Sequence, residues 1–135
     1  MKRIHFWVGV IGMLAFVCTG QYMHIFQNHL EGMADAPRML YRSAHIYLLL
    51  SSIMNLAVGV YIPQQDNEFT WYKYIFSAAI LVAPFIILAG FFIEPTLSEF
   101  YRPYTGFAVK TLFWVSALIL LVICIRWVKM STRRS

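Results

Sequence analysis

Four apolar stretches, at residues 4–24, 40–62, 74–94 and 106–128, constrain this chain more than any other feature. Each is close to the roughly 20 residues needed to cross a hydrocarbon core about 30 Å thick. A backbone in lipid must satisfy its own hydrogen bonds, which leaves helices or closed barrels. The stretches are too long for barrel strands and show no alternation, so helices are expected. The expected fold is an all-α integral membrane protein, a four-transmembrane-helix bundle with both termini on the same side. Of the 135 residues, 60% are hydrophobic and only 13% charged. Four spans use more than half of that length, so residues 1–135 are expected to form one transmembrane domain without a separate soluble part.

The formal net charge of +5 raises the question of nucleic acid. The basic residues, however, cluster at span ends instead of forming a solvated stripe, and the orientation rule for membrane proteins accounts for them better. Lys2, Arg3, Lys73, Arg126, Lys129, Arg133 and Arg134 fall on one side, against Arg38, Arg42, Arg102 and Lys110 on the other. The excess places both termini in the cytoplasm of a bacterial-type inner membrane, with the lipid bilayer as the first partner and no nucleic acid. A membrane-protein partner or a second copy of the chain remains open.

Lys2 and Arg3 before an apolar run resemble a secretory signal, but processing is not expected. Ala34-Asp35-Ala36 lies well past the run and precedes Pro37, and Ala15-Phe16-Val17 lacks the small residue needed ahead of a lipidated Cys18. Cys18 and Cys124 are expected at different membrane depths, which argues against a disulfide between them.

Spacing along the helices assigns faces. Gly9, Gly12, Phe16, Thr19 and Gly20 form a strip of mostly small residues on the first helix that permits close backbone approach. Ala79, Ala83, Ile87, Gly90 and Glu94 share a face of the third, where Pro84 is expected to kink the helix and Pro95 to end it. On the second helix Arg38, Arg42, His45, Ser52, Asn55 and Gly59 form one polar stripe, expected to face the bundle centre. On the fourth, Lys110 shares a side with Trp114, Ala117, Leu121 and Cys124. It either snorkels to the interface or pairs with Glu94.

Ionisable groups at membrane depth are costly, and their concentration toward one end defines the candidate site. The expected polar pocket or ion network comprises Gln21, Arg42, His45, Ser52, Asn55, Glu94 and Lys110. Three chemistries fit this end of the bundle. Haem b can take axial ligands from His24 and His45, with Arg38 and Arg42 neutralising propionates. A metal ion, copper above all, suits the imidazoles and thioethers of Met23, His24, His29 and His45, with Met33 and Met39 nearby in sequence. An anionic or quinone-like molecule suits Arg42, His45, Lys110 and Gln21, with Glu94 as counter-charge or proton acceptor.

The leading expectation is therefore a ligand- or cofactor-binding membrane protein, accessory to a redox or metal-handling system. The rival is a structural or assembly subunit whose buried ion network binds nothing, and a proton-coupled transporter is third. No G-x-S-x-G, H-E-x-x-H, phosphate-cradling glycine motif or C-x-x-C is present, so an enzyme is not favoured. Ile4-His5-Phe6-Trp7 at the start of the first span, its glycine-bearing helix and the four-helix layout resemble small bacterial inner-membrane families such as the copper-resistance CopD-type and related haem-associated proteins. That resemblance implies architecture and assigns no site residue.

The charge bias makes one direct prediction. A reporter fused after Ser135 is expected to read as cytoplasmic, and a signal from the opposite side would reverse the orientation.

Overall fold

The computed structural model describes residues 2–61, 71–97 and 101–132. The side chains of Lys73, Asp66, Glu68, Glu99, Arg126, Lys129, Arg133 and Arg134, and of the boundary aromatics Trp71, Tyr72 and Trp127, lie outside the described residues. Four helices make up the fold: α1 (Lys2–Ile25), α2 (Asp35–Tyr61), α3 (Trp71–Ile93) and α4 (Pro103–Thr132). Short single turns follow α1 at Asn28–Leu30 and α3 at Glu94–Thr96. No strand occurs among the described residues. Three helices, Lys2–Ile25, Asp35–Val60 and Tyr74–Thr96 with its terminal turn, are long and apolar enough to cross a membrane.

The helices overrun the apolar stretches, and their ends follow local chemistry. Asp35 places a carboxylate in the first turn of α2, where the helix dipole favours it. Pro37 is tolerated there because the amides of a first turn have no helical partner. Pro95 disfavours helical geometry at Glu94, and α3 stops at Ile93. Pro84 does not break α3, which is helical throughout. Pro103 opens α4, a position where its fixed φ is favourable.

The most extensive packing joins α1 to α2, and α3 then bridges α2 and α4. Glycine sets the α1–α2 distance. A Cβ on Gly9 would lie 2.7 Å from Leu56 Cγ, and one on Gly59 would lie 2.7 Å from the backbone nitrogen of Phe6. Gly12 lies against Ser52 and Gly20 against His45. The contacts run in opposite directions along the two helices, as a short connection demands. The small-residue strip read from the sequence thus lies along α2.

Leu48, Ile80, Ala83, Ile87, Phe91, Ala108, Leu112 and Val115 form the middle of the core. At one end Tyr22, Tyr41 and Phe91 bring α1, α2 and α3 together, with ring centroids 5.1–6.4 Å apart. Large apolar side chains cover the outward faces instead of polar ones. Ile4, Trp7, Ile11 and Leu14 on α1 and Phe107, Trp114, Leu118 and Leu121 on α4 are all exposed. An apolar groove of about 300 Å³ runs between α3 and α4, lined by residues such as Ala79, Ala83, Phe107 and Ala108.

Gly59→Ala tests the close approach. Forcing a methyl into the backbone of Phe6 is expected to destabilise the bundle by about 1–3 kcal/mol, measured by reversible unfolding in mixed micelles.

Candidate functional site

The buried polar groups fall into separate contacts at different levels of the bundle. Toward the start of α1, His5 is 1% exposed and Asn55 fully buried. Asn55 Nδ2 donates to the carbonyls of Ser51 (3.0 Å) and Ile80 (2.8 Å), which fixes its Oδ1 as the acceptor. His5 Nδ1, 2.9 Å from that oxygen, must therefore carry a proton. In the neutral ring Nε2 is then an acceptor, and the hydroxyl of Ser77 at 2.6 Å donates to it. One amide and one imidazole thus join α1, α2 and α3, and each of their described polar atoms has a partner.

A second contact lies further along α1. The Thr19 hydroxyl donates to the carbonyl of Phe16 at 2.9 Å, so its single proton is committed. His45 Nδ1, 2.9 Å from Thr19 Oγ1, is accordingly the donor. The imidazole stacks on Phe16 with centroids 4.1 Å apart and lies over Gly20, whose missing Cβ leaves it space. Its Nε2 carries a lone pair and has no hydrogen-bond partner among the described residues.

Glu94 forms the third contact. The carboxylate is 1% exposed, and its Oε1 accepts from the backbone N–H of Thr105 at 2.7 Å. Thr105 lies in the first turn of α4, where free amides and the helix dipole favour an anion, so Glu94 caps α4 from the end of α3. Gly90 permits the approach, since a Cβ there would lie 2.6 Å from Thr105 Oγ1. Glu94 Oε2 and Thr105 Oγ1 are buried and make no hydrogen bond among the described residues.

These placements divide the polar set predicted from the sequence. Ser52, Asn55 and Glu94 are buried and His45 half-buried, whereas Gln21, Arg42 and Lys110 are exposed. The α2 stripe faces inward at Ser52 and Asn55 but turns outward at Arg42. Arg38 pairs with Asp35 on its own helix. Lys110 lies on the exposed side of α4 near Phe107 and Trp114, and the described carboxylate contact of Glu94 is with Thr105. Lys110 is exposed and makes no ion pair with Glu94 among the described residues.

The histidines separate as well. His45 contacts Thr19 and Phe16, while His24 contacts His29, with their Nδ1 atoms 3.1 Å apart and centroids at 4.0 Å. Each proposed axial ligand for haem thus has a different neighbour. Met23 and Met33 are half-buried against the core, and Met39 is exposed. The His24–His29 contact depends on an uncommon turn. Asn28, His29 and Leu30 have φ of 43°, 58° and 63°, a left-handed run without glycine. Such geometry costs about 1–2 kcal/mol per ordinary L-residue, and Asn tolerates it best. Burial of Leu30, 3% exposed, offsets part of that cost.

The sequence reading passed over His5, Ser77 and Thr105. His5 had a signal, an ionisable residue one turn into an apolar helix, but it is expected on the cytoplasmic side, away from the cluster at the other end of the bundle. Ser77 and Thr105 had none, because hydroxyls are common in spans and only tertiary placement distinguishes them. No group of three or more His, Cys, Asp or Glu side chains suited to hold a metal occurs among the described residues. The sequence matches no family model, and no curated protein or solved structure matches it.

Asn55→Leu is expected to destabilise the bundle by about 1–3 kcal/mol, because the His5 donor loses its acceptor in a dry interior. His5→Phe added to that variant is expected to cause much less further loss than it does alone. A double-mutant cycle by reversible unfolding measures the coupling.

Proposed function

We propose that the chain is a four-span protein of a bacterial-type inner membrane, with both termini cytoplasmic, acting as a structural or assembly component of a membrane complex and not as an enzyme. The observation carrying this reading is the allocation of buried polar groups. His5, Asn55 and Ser77, Thr19 and His45, and Glu94 and Thr105 each join different helices. The groove between α3 and α4 is lined almost wholly by apolar side chains. Polar residues that hold helices together leave few groups to recognise a polar substrate. The 106–128 stretch within α4 and the exposed apolar faces of all four helices support the four-span placement.

His45 supports a second reading, the binding of a small molecule. Its Nε2 is an acceptor beside Gly20, and a hydroxyl-bearing amphiphile such as a quinol has the complementary donor. Transport of protons has less support. Between the His5 and His45 levels lie Leu48 and Ala83, which offer no titratable group.

Photo-crosslinking in native membranes tests the assembly role. A crosslinking amino acid placed at Ile11, Ile53, Val82 or Phe113, all exposed and one on each helix, is expected to give a discrete protein adduct from at least one helix. Lipid adducts alone from every helix would overturn the assignment.

A further inference from the structure

The turn after α1 brings together two imidazoles that the bundle does not need for its packing. His24 lies in the last turn of α1, and His29 is the central residue of the left-handed run. Both are exposed, so neither ring is buried to complete the core. Between two neutral imidazoles one Nδ1 carries a proton and the other accepts it. For a metal ion to take both Nδ1 lone pairs, the donor ring shifts its proton to its own Nε2, so both rings bind as neutral Nε2–H tautomers and no proton is lost from the pair.

The dimensions fit such an exchange. With metal–nitrogen bonds of about 2.0–2.1 Å, an N···N separation of 3.1 Å corresponds to an N–M–N angle near 100°. That angle lies between the square-planar and tetrahedral values and far from the linear arrangement of a two-coordinate cuprous ion. Imidazole donors favour borderline divalent ions over magnesium or calcium, and among them copper(II) binds most strongly. The backbone contributes through preorganisation. Leu30 N–H donates to the Gln27 carbonyl at 2.7 Å and Glu31 N–H to the Asn28 carbonyl at 3.0 Å, so the turn is closed on both sides of His29. The side chain of Gln27 donates to the hydroxyl of Tyr22, at 3.2 Å, and joins the loop to α1.

We infer that His24 and His29 form a two-imidazole chelate for a borderline divalent transition-metal ion, copper(II) or zinc(II), with water completing the coordination. The site goes beyond the assembly role and does not depend on it. It lies outside the helix contacts, next to Met23 in sequence, and His45 is no part of it. Two protein ligands make an exchangeable site, suited to acquiring or handing on an ion at the membrane surface and not to a permanent structural metal.

The full chain in lipid nanodiscs, titrated with copper(II) and followed by electron paramagnetic resonance, tests the assignment, and zinc(II) serves as the competing ion. The expected result is one copper per chain with superhyperfine coupling from two nitrogens, displaced by excess zinc. His24→Ala and His29→Ala are each expected to weaken binding by about tenfold or more and to remove one nitrogen from the spectrum, with the helical circular dichroism unchanged. Asn28→Pro retains both imidazoles but cannot adopt a φ of 43°, and it is expected to weaken binding as well. Copper that binds equally well to both alanine variants resides elsewhere, for instance at the chain's amino end, and would overturn the proposal. So would failure of the wild type to retain either ion, which would leave His24 and His29 as a hydrogen-bonded pair only.

Discussion

The Asn55 side chain is the contact on which the helix arrangement most depends. A primary amide offers two donors and an acceptor from one planar group, and here each has a different partner: the donors go to α2's own backbone at Ser51 and α3's backbone at Ile80, and the oxygen accepts from the imidazole of His5 on α1. Hydrophobic burial separates helices from water but discriminates poorly among rotations of an apolar helix. An amide in a dry interior does discriminate, because the wrong rotation leaves its polar atoms unpartnered. Individual hydrogen bonds between membrane helices average only about 0.6 kcal/mol, so the contribution of Asn55 is specificity of rotation more than bulk stability.

Glycine makes that geometry reachable. With Gly59 against Phe6 and Gly9 against Leu56, the α1 and α2 backbones come close enough for His5 to reach across to Asn55 and, beyond it, Ser77. At the opposite end the arrangement differs. There aromatic rings from α1, α2 and α3 fill the space, and Glu94 holds α4 by the amide of its first turn. The acidic group near the end of a long apolar helix is thereby explained as a cap in trans, with no basic partner among the described residues. Its second oxygen and the Thr105 hydroxyl are buried and make no hydrogen bond among the described residues.

This distribution bears on function. A site for a polar ligand needs convergent groups with unused hydrogen-bonding capacity. In the buried set Glu94 Oε2 and Thr105 Oγ1 have it, and nearer the surface His45 Nε2 and the His24–His29 pair do. The proposed assembly role and the proposed chelate both draw on the periphery of this fold, the exposed apolar helix faces and the left-handed turn beyond α1. Three successive left-handed residues without glycine need compensation, and Leu30 supplies it through the core while leaving His29 outside.

The apolar stretches alone pointed to long helices, because their length and lack of alternation fit no barrel strand and a helix satisfies its own backbone hydrogen bonds. Spacing also determined which face of α1 is narrow and which face of α3 carries Ala83, Ile87, Gly90 and Glu94, since helical periodicity is a local property. The candidate site was only partly legible. Ser52 and Asn55 face inward as their spacing required, but Arg42, on the same stripe, reaches outward, because a long side chain near a helix end finds solvent whatever the face beneath it. Only the tertiary structure decided that Glu94 meets an amide and not Lys110, that His5 belongs to the core, and that His24 pairs with His29 and not with His45. Those outcomes depend on helix rotation and on one left-handed turn, and neither leaves a periodic trace in the sequence.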